Sequence, residues 1–281
     1  MQGMKVTILT CVGNEKETVD VRDPNWKAAL ESYRQFADEI IVVDGSCTLK
    51  SDGDMKVVHY HWPWDWSWEE LPKHLNKGLE AASGDWVIRC DIDYIFHEND
   101  IPLIRKRLAM RGLVPIGSFH KNSLVTRDGY YVKGSVPMAI NKGQFSDRIQ
   151  FGKADNMRTD LCYPIYVKDI SEDGVPYGRF REEAIVPVRL PFYNYDYTFK
   201  TKEETRREFW RFSQAYYRYF KEWRFGSTEE ESFDYFVNMM KMRLTRNIRP
   251  ITIEEHPVFI REAVRNMTPE MFGYNGWGML S

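Results

Sequence analysis

Short apolar runs alternate with segments of helical periodicity over the first hundred residues. The runs are rich in β-branched residues and almost continuously apolar, which predicts strands buried on both faces of a parallel sheet. We predict these strands at 5–11, 39–43, 55–60 and 86–90. Apolar residues three or four positions apart predict helices between them at 26–36 and 71–82. Strands and helices in this order are typical of an α/β fold.

The pattern changes twice further along the chain. From 112 to about 192, short β-like runs are mixed with Gly and Pro, which predicts additional strands and loops. From 197 onward, apolar residues follow helical faces after two capping-box spacings, Thr201 with Glu204 and Ser227 with Glu230. We therefore predict one domain over 1–196, divided near 110, and a helical region over 197–281 packed on it.

Acidic residues follow three of the four predicted strands. Glu15 follows the first, Asp44 the second, and Asp91 and Asp93 the fourth. Parallel sheets bind ligands just beyond the carboxyl ends of their strands, so we expect these carboxylates to converge. Mg²⁺ and Mn²⁺ prefer such oxygen ligands and keep positions open for substrate phosphates. A D-x-D taken alone is more often a solvated loop or a helix cap.

Composition is that of a folded protein without a membrane span. The chain has 281 residues, 43% of them hydrophobic, and a formal net charge of −2, which leaves room for a substantial core. No apolar run approaches the roughly 20 residues that cross a bilayer, and the amino terminus lacks the zones of a signal peptide. We expect a soluble, cytoplasmic protein. The widely spaced cysteines indicate reduced thiols.

Three segments resemble the family 2 glycosyltransferases in order, spacing and residue type. They are 5–15 (KVTILTCVGNE), 38–48 (DEIIVVDGSCT) and 76–93 (NKGLEAASGDWVIRCDID). The resemblance covers about the first hundred residues. It implies an α/β fold of the GT-A type, with a mixed, mainly parallel, Rossmann-like sheet flanked by helices and a C-terminal helical extension. Residues 1–110 would then form the donor half and 111–196 the acceptor half.

The same resemblance implies a metal-dependent hexosyl- or pentosyltransferase. Such an enzyme moves a sugar from a nucleotide-sugar, expected to be a UDP-sugar, to an acceptor hydroxyl with inversion. Mn²⁺ or Mg²⁺ would neutralise the diphosphate. Carried over position by position, Cys11, Glu15, Asp44 and Asn76 belong to the nucleotide pocket.

The resemblance also implies a set of metal ligands. Asp93 would bind the metal directly, and Asp91 would contact the ribose or the metal shell. Some relatives carry a His near the end of the catalytic domain, where this chain has Asn194. That substitution leaves a third protein ligand open, with Asn194 and Asp196 as the candidates.

Inverting members of the family use a carboxylate as general base. Asp155, Asp160 and Asp173 are the candidates, and Asp155 ranks first because it follows a segment that resembles the acceptor side. The tryptophans at 62, 64, 66 and 68 either stack on a sugar or base, or wedge their loop onto the core.

Three functions stay open at this point. Twelve Lys and Arg stand against eight Asp and Glu over 197–249, with the densest basic run at Lys241, Arg243, Arg246 and Arg249. The first function is transfer to a glycan or small molecule. The second uses these basic helices to bind DNA and glycosylates hydroxymethylated bases, as phage enzymes do. The third is a non-catalytic module that binds nucleotide-sugars or nucleic acid.

Overall fold

The computed structural model describes residues 3–13, 23–51, 53–62, 67–146, 148–154, 162–244 and 248–279, without the side chains of 23 and 244. The strands are β1 Val6–Val12, β2 Glu39–Asp44, β3 Met55–His59, β4 Trp86–Arg89, β5 Tyr94–Ile95, β6 Ile116–Thr126, β7 Gly129–Asn141, β8 Ile149–Ala154, β9 Tyr163–Ile170, β10 Pro176–Arg179, β11 Ile185–Asn194 and β12 Arg249–Pro250. The helices are α1 Asp23–Arg34, α2 Glu70–Ala81, α3 Ile101–Ala109, α4 Lys142–Phe145, α5 Lys202–Phe220, α6 Glu229–Leu244, α7 Val258–Arg265 and α8 Phe272–Asn275. The strands and helices predicted in the first hundred residues are all present.

Eight strands form the main sheet in the order β3-β2-β1-β4-β7-β6-β11-β5, and β12 adds to β7. The pairings orient six of these eight strands one way, with β7 and β5 opposed to them. Helices cover both faces. The mixed, mainly parallel α/β sheet flanked by helices that the sequence predicted is therefore confirmed.

Successive residues of β1 face opposite layers of the core. Ile8 packs in the cluster that contains Tyr33 of α1, and its neighbour Leu9 packs in the cluster that contains Leu75 of α2. At Gly78 of α2, a Cβ would lie 2.0 Å from Leu9 Cδ1. Glycine is needed there because the helix approaches the strand too closely for any side chain. This packing fixes the carboxyl end of β1.

The middle of the chain is more strongly β than its composition suggested. β6 and β7 form a long antiparallel hairpin of 11 and 13 residues whose register shifts at three places. β8, β9 and β10 close into a small separate three-stranded sheet. The strands predicted between 112 and 192 are thus present, but they are longer than the short runs in the sequence.

Helix α5 begins as predicted. The Glu204 amide donates to Thr201 Oγ1 at 3.3 Å, and the Thr201 amide donates to Glu204 Oε2 at 2.7 Å. These reciprocal bonds satisfy donors that the first turn of the helix leaves exposed.

The cap of α6 differs from the prediction by one residue. Thr228 Oγ1, rather than Ser227, accepts from the Glu231 amide at 3.2 Å. The Glu231 carboxylate accepts from both the amide and the hydroxyl of Ser227, at 2.8 and 2.7 Å. The predicted pair Ser227 and Glu230 is therefore wrong. Consecutive Ser and Thr followed by three Glu offer several registers with the same spacing.

The region after 197 packs on the rest of the chain in two places. Phe209 of α5 and Phe236 of α6 form a cluster with Tyr131 of the β6–β7 hairpin. Ile260 and Val264 of α7 join the main core. Across the described ranges, no helix has the length and apolar character needed to span a membrane.

Candidate active site

The chain reverses its direction of winding between β1 and β4. It leaves β1 for β2 and β3 on one side of the sheet and returns to the other side of β1 with β4. In open α/β sheets, ligands bind in the crevice outside the carboxyl ends of the strands at such a switch point. Asp91 and Asp93 follow β4 directly and therefore lie at the position where topology predicts a site.

The D-x-D turn is held from two other elements. The Tyr33 hydroxyl of α1 bridges the carbonyl oxygens of Asp91 and Tyr94, at 2.8 and 2.7 Å. The Tyr195 amide donates to the Asp93 carbonyl at 3.1 Å. Since the backbone is fixed at both ends of the turn, the two carboxylates are presented in a defined orientation.

Asp91 points partly into solvent. Its side chain is 41% exposed, and Arg89 Nη2 lies 3.0 Å from Oδ1 and 3.4 Å from Oδ2. Burial raises the pKa of Asp91, but the charges of Arg89 and Lys121 outweigh burial and hold the pKa below its usual value. Asp91 is therefore an ionised carboxylate at neutral pH. Asp93 is only 4% exposed.

Asn194 and Asp196 lie beside this turn. Asn194 pairs with Tyr94 across β11 and β5, and its Oδ1 accepts from the Asp196 amide at 3.1 Å. The Asp196 carboxylate accepts from Lys200 Nζ at 3.0 Å, and the same ammonium also bonds to Glu208. The structure thus brings both residues near the D-x-D but uses them in local contacts. That Asn194 or Asp196 binds a metal stays a prediction.

Asp44 ends β2 with no exposed surface. Its Oδ1 accepts from the amide and hydroxyl of Ser46, at 2.9 and 2.6 Å. Its Oδ2 accepts from the amides of Thr48 and Leu49, at 2.7 and 2.8 Å. Burial raises the pKa of Asp44, but these bonds together lower it below the usual value. Asp44 shapes the turn that follows β2, and its predicted contact with the nucleotide stays a prediction.

Cys11 and Asn76 occupy different kinds of position. Cys11 is half-buried at the carboxyl end of β1, and burial raises the pKa of its thiol so that it stays neutral. Asn76 of α2 exchanges two hydrogen bonds with the backbone of Phe151, at 2.8 and 2.9 Å. These bonds tie α2 to β8. A nucleotide contact by either residue stays a prediction.

Of the candidate general bases, only Asp173 lies in the described part of the chain, and no contact described there joins it to the D-x-D. Asp173 lies in the turn between β9 and β10, where the Ser171 hydroxyl donates to it. Burial raises the pKa of Asp173, and the hydrogen bonds from Ser171 and Tyr219 lower it below the usual value overall. Asp155, Asp160 and the nucleotide-pocket candidate Glu15 lie outside the described residues.

Two of the four clustered tryptophans pack against protein. Trp62 is buried, with its ring 4.4 Å from that of His74. Trp68 packs on α5, with its ring 5.1 Å from that of Phe212. Both contacts favour the interpretation that these tryptophans pack their loop against the core over the interpretation that they stack on a sugar or base. Trp64 and Trp66 lie outside the described residues.

The basic run over 241–249, from the end of α6 to β12, is only partly presented to solvent. Lys241 and Arg249 are exposed, but the Arg243 guanidinium lies 5.7 Å from the ring centre of Tyr131. Arg246 lies outside the described residues. The described part of this run therefore does not form a continuous basic surface.

Carboxylates at the switch point fit a divalent cation that binds together with a substrate. In the described ranges, no three His, Cys, Asp or Glu side chains come close enough to hold a metal by themselves. Mg²⁺ and Mn²⁺ do not need such a cage, because one or two carboxylates and the phosphates of the substrate complete their shell. Asp91 offers an ionised and partly exposed carboxylate, so the donor set fits such an ion.

Sequence reasoning missed three residues of this site: Arg89, Tyr94 and Lys121. Arg89 is a charge at the end of an apolar strand, two residues before Asp91, and Lys121 stands in the middle of a β-rich run. A charged residue in a run that is otherwise buried indicates a partner of opposite charge, because an isolated buried charge is very costly. That signal was available in the sequence.

No protein-family model matches this chain, and no curated protein does. Its fold is similar to a mannosyltransferase from Pyrobaculum calidifontis in complex with GDP-Man and Mn²⁺, with 12% identity, 87% of this chain and 75% of that chain covered, and a TM-score of 0.37. It is also similar to S. aureus TarS 1–349, with 13% identity, 86% and 80% covered, and a TM-score of 0.36. Glucosyl-3-phosphoglycerate synthase from Mycobacterium tuberculosis matches at 20% identity over 42% of this chain and 44% of that chain, with a TM-score of 0.29. These likenesses are too distant to carry an activity over to this chain.

Proposed function

We propose that this protein is a glycosyltransferase that moves a sugar from a nucleotide-sugar to an acceptor hydroxyl. The observation that carries the proposal is the D-x-D turn, Asp91 to Asp93, at the switch point between β1 and β4. An ionised carboxylate at that edge, held by Arg89 and open to solvent, suits a ligand that carries phosphates and a divalent cation.

Asp93 is the proposed direct metal ligand, and Asp91 the contact to the ribose or to the metal shell. Mn²⁺ or Mg²⁺ bound there would supply positive charge to the departing diphosphate. Arg89 fixes the Asp91 carboxylate, and Tyr33 fixes the backbone that carries it. We propose Cys11, Glu15, Asp44 and Asn76 as the surroundings of the nucleotide, with a UDP-sugar as the donor.

The proposed reaction is a single displacement with inversion of the anomeric centre. One carboxylate among Asp155, Asp160 and Asp173 would take the proton of the acceptor hydroxyl, with Asp155 as the first candidate. We propose a glycan or small molecule as the acceptor. Residues 1–196 would carry the donor and acceptor halves, and residues 197–281 would support them as a helical region.

The test uses a panel of UDP- and GDP-sugars with Mn²⁺, Mg²⁺ or EDTA. We expect one donor to raise the melting temperature in the presence of metal and to be hydrolysed slowly without an acceptor. Binding without any turnover would favour the non-catalytic module. If no donor binds in any condition, the proposed function is wrong.

A second experiment separates the two classes of acceptor. Saccharides and duplex DNA with hydroxymethylated bases are incubated with the identified donor, and the products are weighed by mass spectrometry. We expect a mass increase on a saccharide. Transfer to the DNA alone would replace the proposed acceptor with a nucleic acid.

A further inference from the structure

Lys121 lies in β6 beside an irregularity of the β6–β7 hairpin. The register shifts between His120 and Asn122, where β7 has one residue more than β6, and Gly134 on β7 adopts a φ of 103°. Such a bulge bends the strand and redirects the side chains next to it. Lys121 is half-buried, although an ammonium loses part of its hydration in such a place.

The ammonium of Lys121 contacts Tyr94. Its Nζ donates to Tyr94 Oη at 3.1 Å and lies 4.7 Å from the centre of the same ring. The ring of Tyr94 is itself packed on Phe192, with centroids 4.3 Å apart. Tyr94 is therefore fixed both by stacking and by a charged hydrogen-bond donor.

Tyr94 in turn belongs to the D-x-D turn, next to Asp93. Its carbonyl oxygen and that of Asp91 accept from the same Tyr33 hydroxyl, while Arg89 donates to the Asp91 carboxylate from strand β4. Since Lys121 donates to the Tyr94 hydroxyl oxygen, the hydroxyl proton of Tyr94 points away from Lys121. A side chain held both at its ring and at its hydroxyl restrains the backbone of the turn that carries Asp91 and Asp93.

The charges around the turn are consistent with this arrangement. Burial lowers the pKa of Lys121, and the carboxylates of Asp93, Asp91 and Asp196 oppose that effect. An ammonium facing these carboxylates compensates their mutual repulsion before any ligand is bound.

We propose that Lys121 is a positioning residue of the donor site, which acts through Tyr94 to hold the D-x-D turn, and with it the Asp91 and Asp93 carboxylates, for the metal-bound diphosphate of a nucleotide. This inference rests on the proposed function. Groups that orient a metal-site ligand in this way typically contribute 10–100-fold to affinity or activity.

A double-mutant cycle tests the proposal with Lys121→Met, Tyr94→Phe and the double variant. Binding of UDP and of GDP is measured by calorimetry at a series of Mn²⁺ concentrations. We expect each single variant to bind the nucleotide about 10-fold more weakly and to need more Mn²⁺. We expect the double variant to be no weaker than either single one, because both changes break the same chain of hydrogen bonds.

Lys133→Met is the matched control. Lys133 is exposed on the facing strand of the same bulge, close enough to affect the pKa of Lys121, so its loss removes a nearby charge without removing the bond to Tyr94. We expect a smaller effect on Mn²⁺ dependence than that of Lys121→Met. Thermal unfolding of each variant checks the fold. If Lys121→Met does not fold, Tyr94→Phe still tests the hydrogen bond, because it removes the hydroxyl and keeps the ring on Phe192.

Multiplicative losses in the double variant would overturn the proposal, since Lys121 would then act on the phosphates independently of Tyr94. Unchanged binding in both single variants would also overturn it. If the wild-type protein binds neither nucleotide, the proposed function itself fails. The wild-type titration therefore distinguishes a failure of the proposed function from a failure of the inference about Lys121.

Discussion

Two aspartates lie at the ends of two strands of the same sheet, yet they make different contacts. Asp44 is the last residue of β2, has no exposed surface, and accepts hydrogen bonds from Ser46, Thr48 and Leu49. Asp91 lies just beyond β4, is 41% exposed, and is held by the side chain of Arg89. A strand that ends in Asp therefore does not by itself indicate a ligand site.

The partners of each carboxylate account for the difference. Three of the four hydrogen-bond donors to Asp44 are amides of the turn that follows it, so that turn encloses the carboxylate, with His59 Nδ1 3.4 Å away. The turn after Asp91 is held instead through its carbonyl by Tyr33, which leaves the carboxylate for side chains and solvent. The first arrangement encloses its carboxylate, and the second leaves a carboxylate that a ligand can reach.

The largest expected effect concerns the D-x-D turn, which is the candidate functional site. We expect Asp93→Asn to lower the rate of sugar transfer by about 100-fold or more, because the charge stabilisation supplied by a bound metal amounts to several kcal/mol. Transfer is measured with the identified donor, and EDTA should lower the wild-type rate to a similar degree. A variant with full activity and an unchanged melting temperature would place the chemistry elsewhere.

The next effect concerns stability. We expect Asp44→Asn to lower the free energy of unfolding by about 2–3 kcal/mol, because hydrogen bonds to a buried charge are lost and an amide group faces backbone donors. Urea unfolding at pH 7 measures it. Asp91→Asn is the control, with a smaller loss of stability and a larger loss of donor affinity. Equal losses of stability in the two variants would contradict the distinction between an enclosed Asp44 and an accessible Asp91.

The pH dependence of stability gives an independent check. The pKa of Asp44 is lowered in the folded state from 3.8, so its ionised form contributes stability above that value, and the contribution is lost as pH falls through the folded pKa. We expect the difference in unfolding free energy between wild type and Asp44→Asn to be largest near neutral pH and to shrink below about pH 4. A constant difference down to pH 2 would mean that the charge is not involved.

The fold could be predicted where a strand is buried on both faces. β2 is an uninterrupted apolar run, and its observed bounds differ from the prediction by a single residue. β6 carries His120, Lys121 and Asn122 in its centre, and its bulge depends on the facing strand rather than on local sequence. The long hairpin was therefore predicted only as short runs.

The candidate site was predictable in position but not in its contacts. The D-x-D after β4 marked the position, because topology alone determines which strand ends meet. The hydrogen bond from Lys121 to Tyr94 joins residues 27 positions apart, and no local pattern encodes it. Asn76 illustrates the opposite limit of sequence reasoning. The sequence predicted that it contacts the nucleotide, and the structure shows its side chain bonded to the backbone of Phe151.

The smallest expected effect separates the contributions to the turn after β2. Ser46→Ala removes the hydroxyl that donates to Asp44 Oδ1 at 2.6 Å but keeps the three amide donors, so we expect a loss of about 1 kcal/mol in the free energy of unfolding. The Ser46 hydroxyl also lies 2.7 Å from Thr48 Oγ1, so Thr48→Ala is the matched control, which removes that contact and keeps the one to Asp44. A loss in Ser46→Ala as large as that in Asp44→Asn would mean that the hydroxyl, rather than the backbone amides, holds the carboxylate.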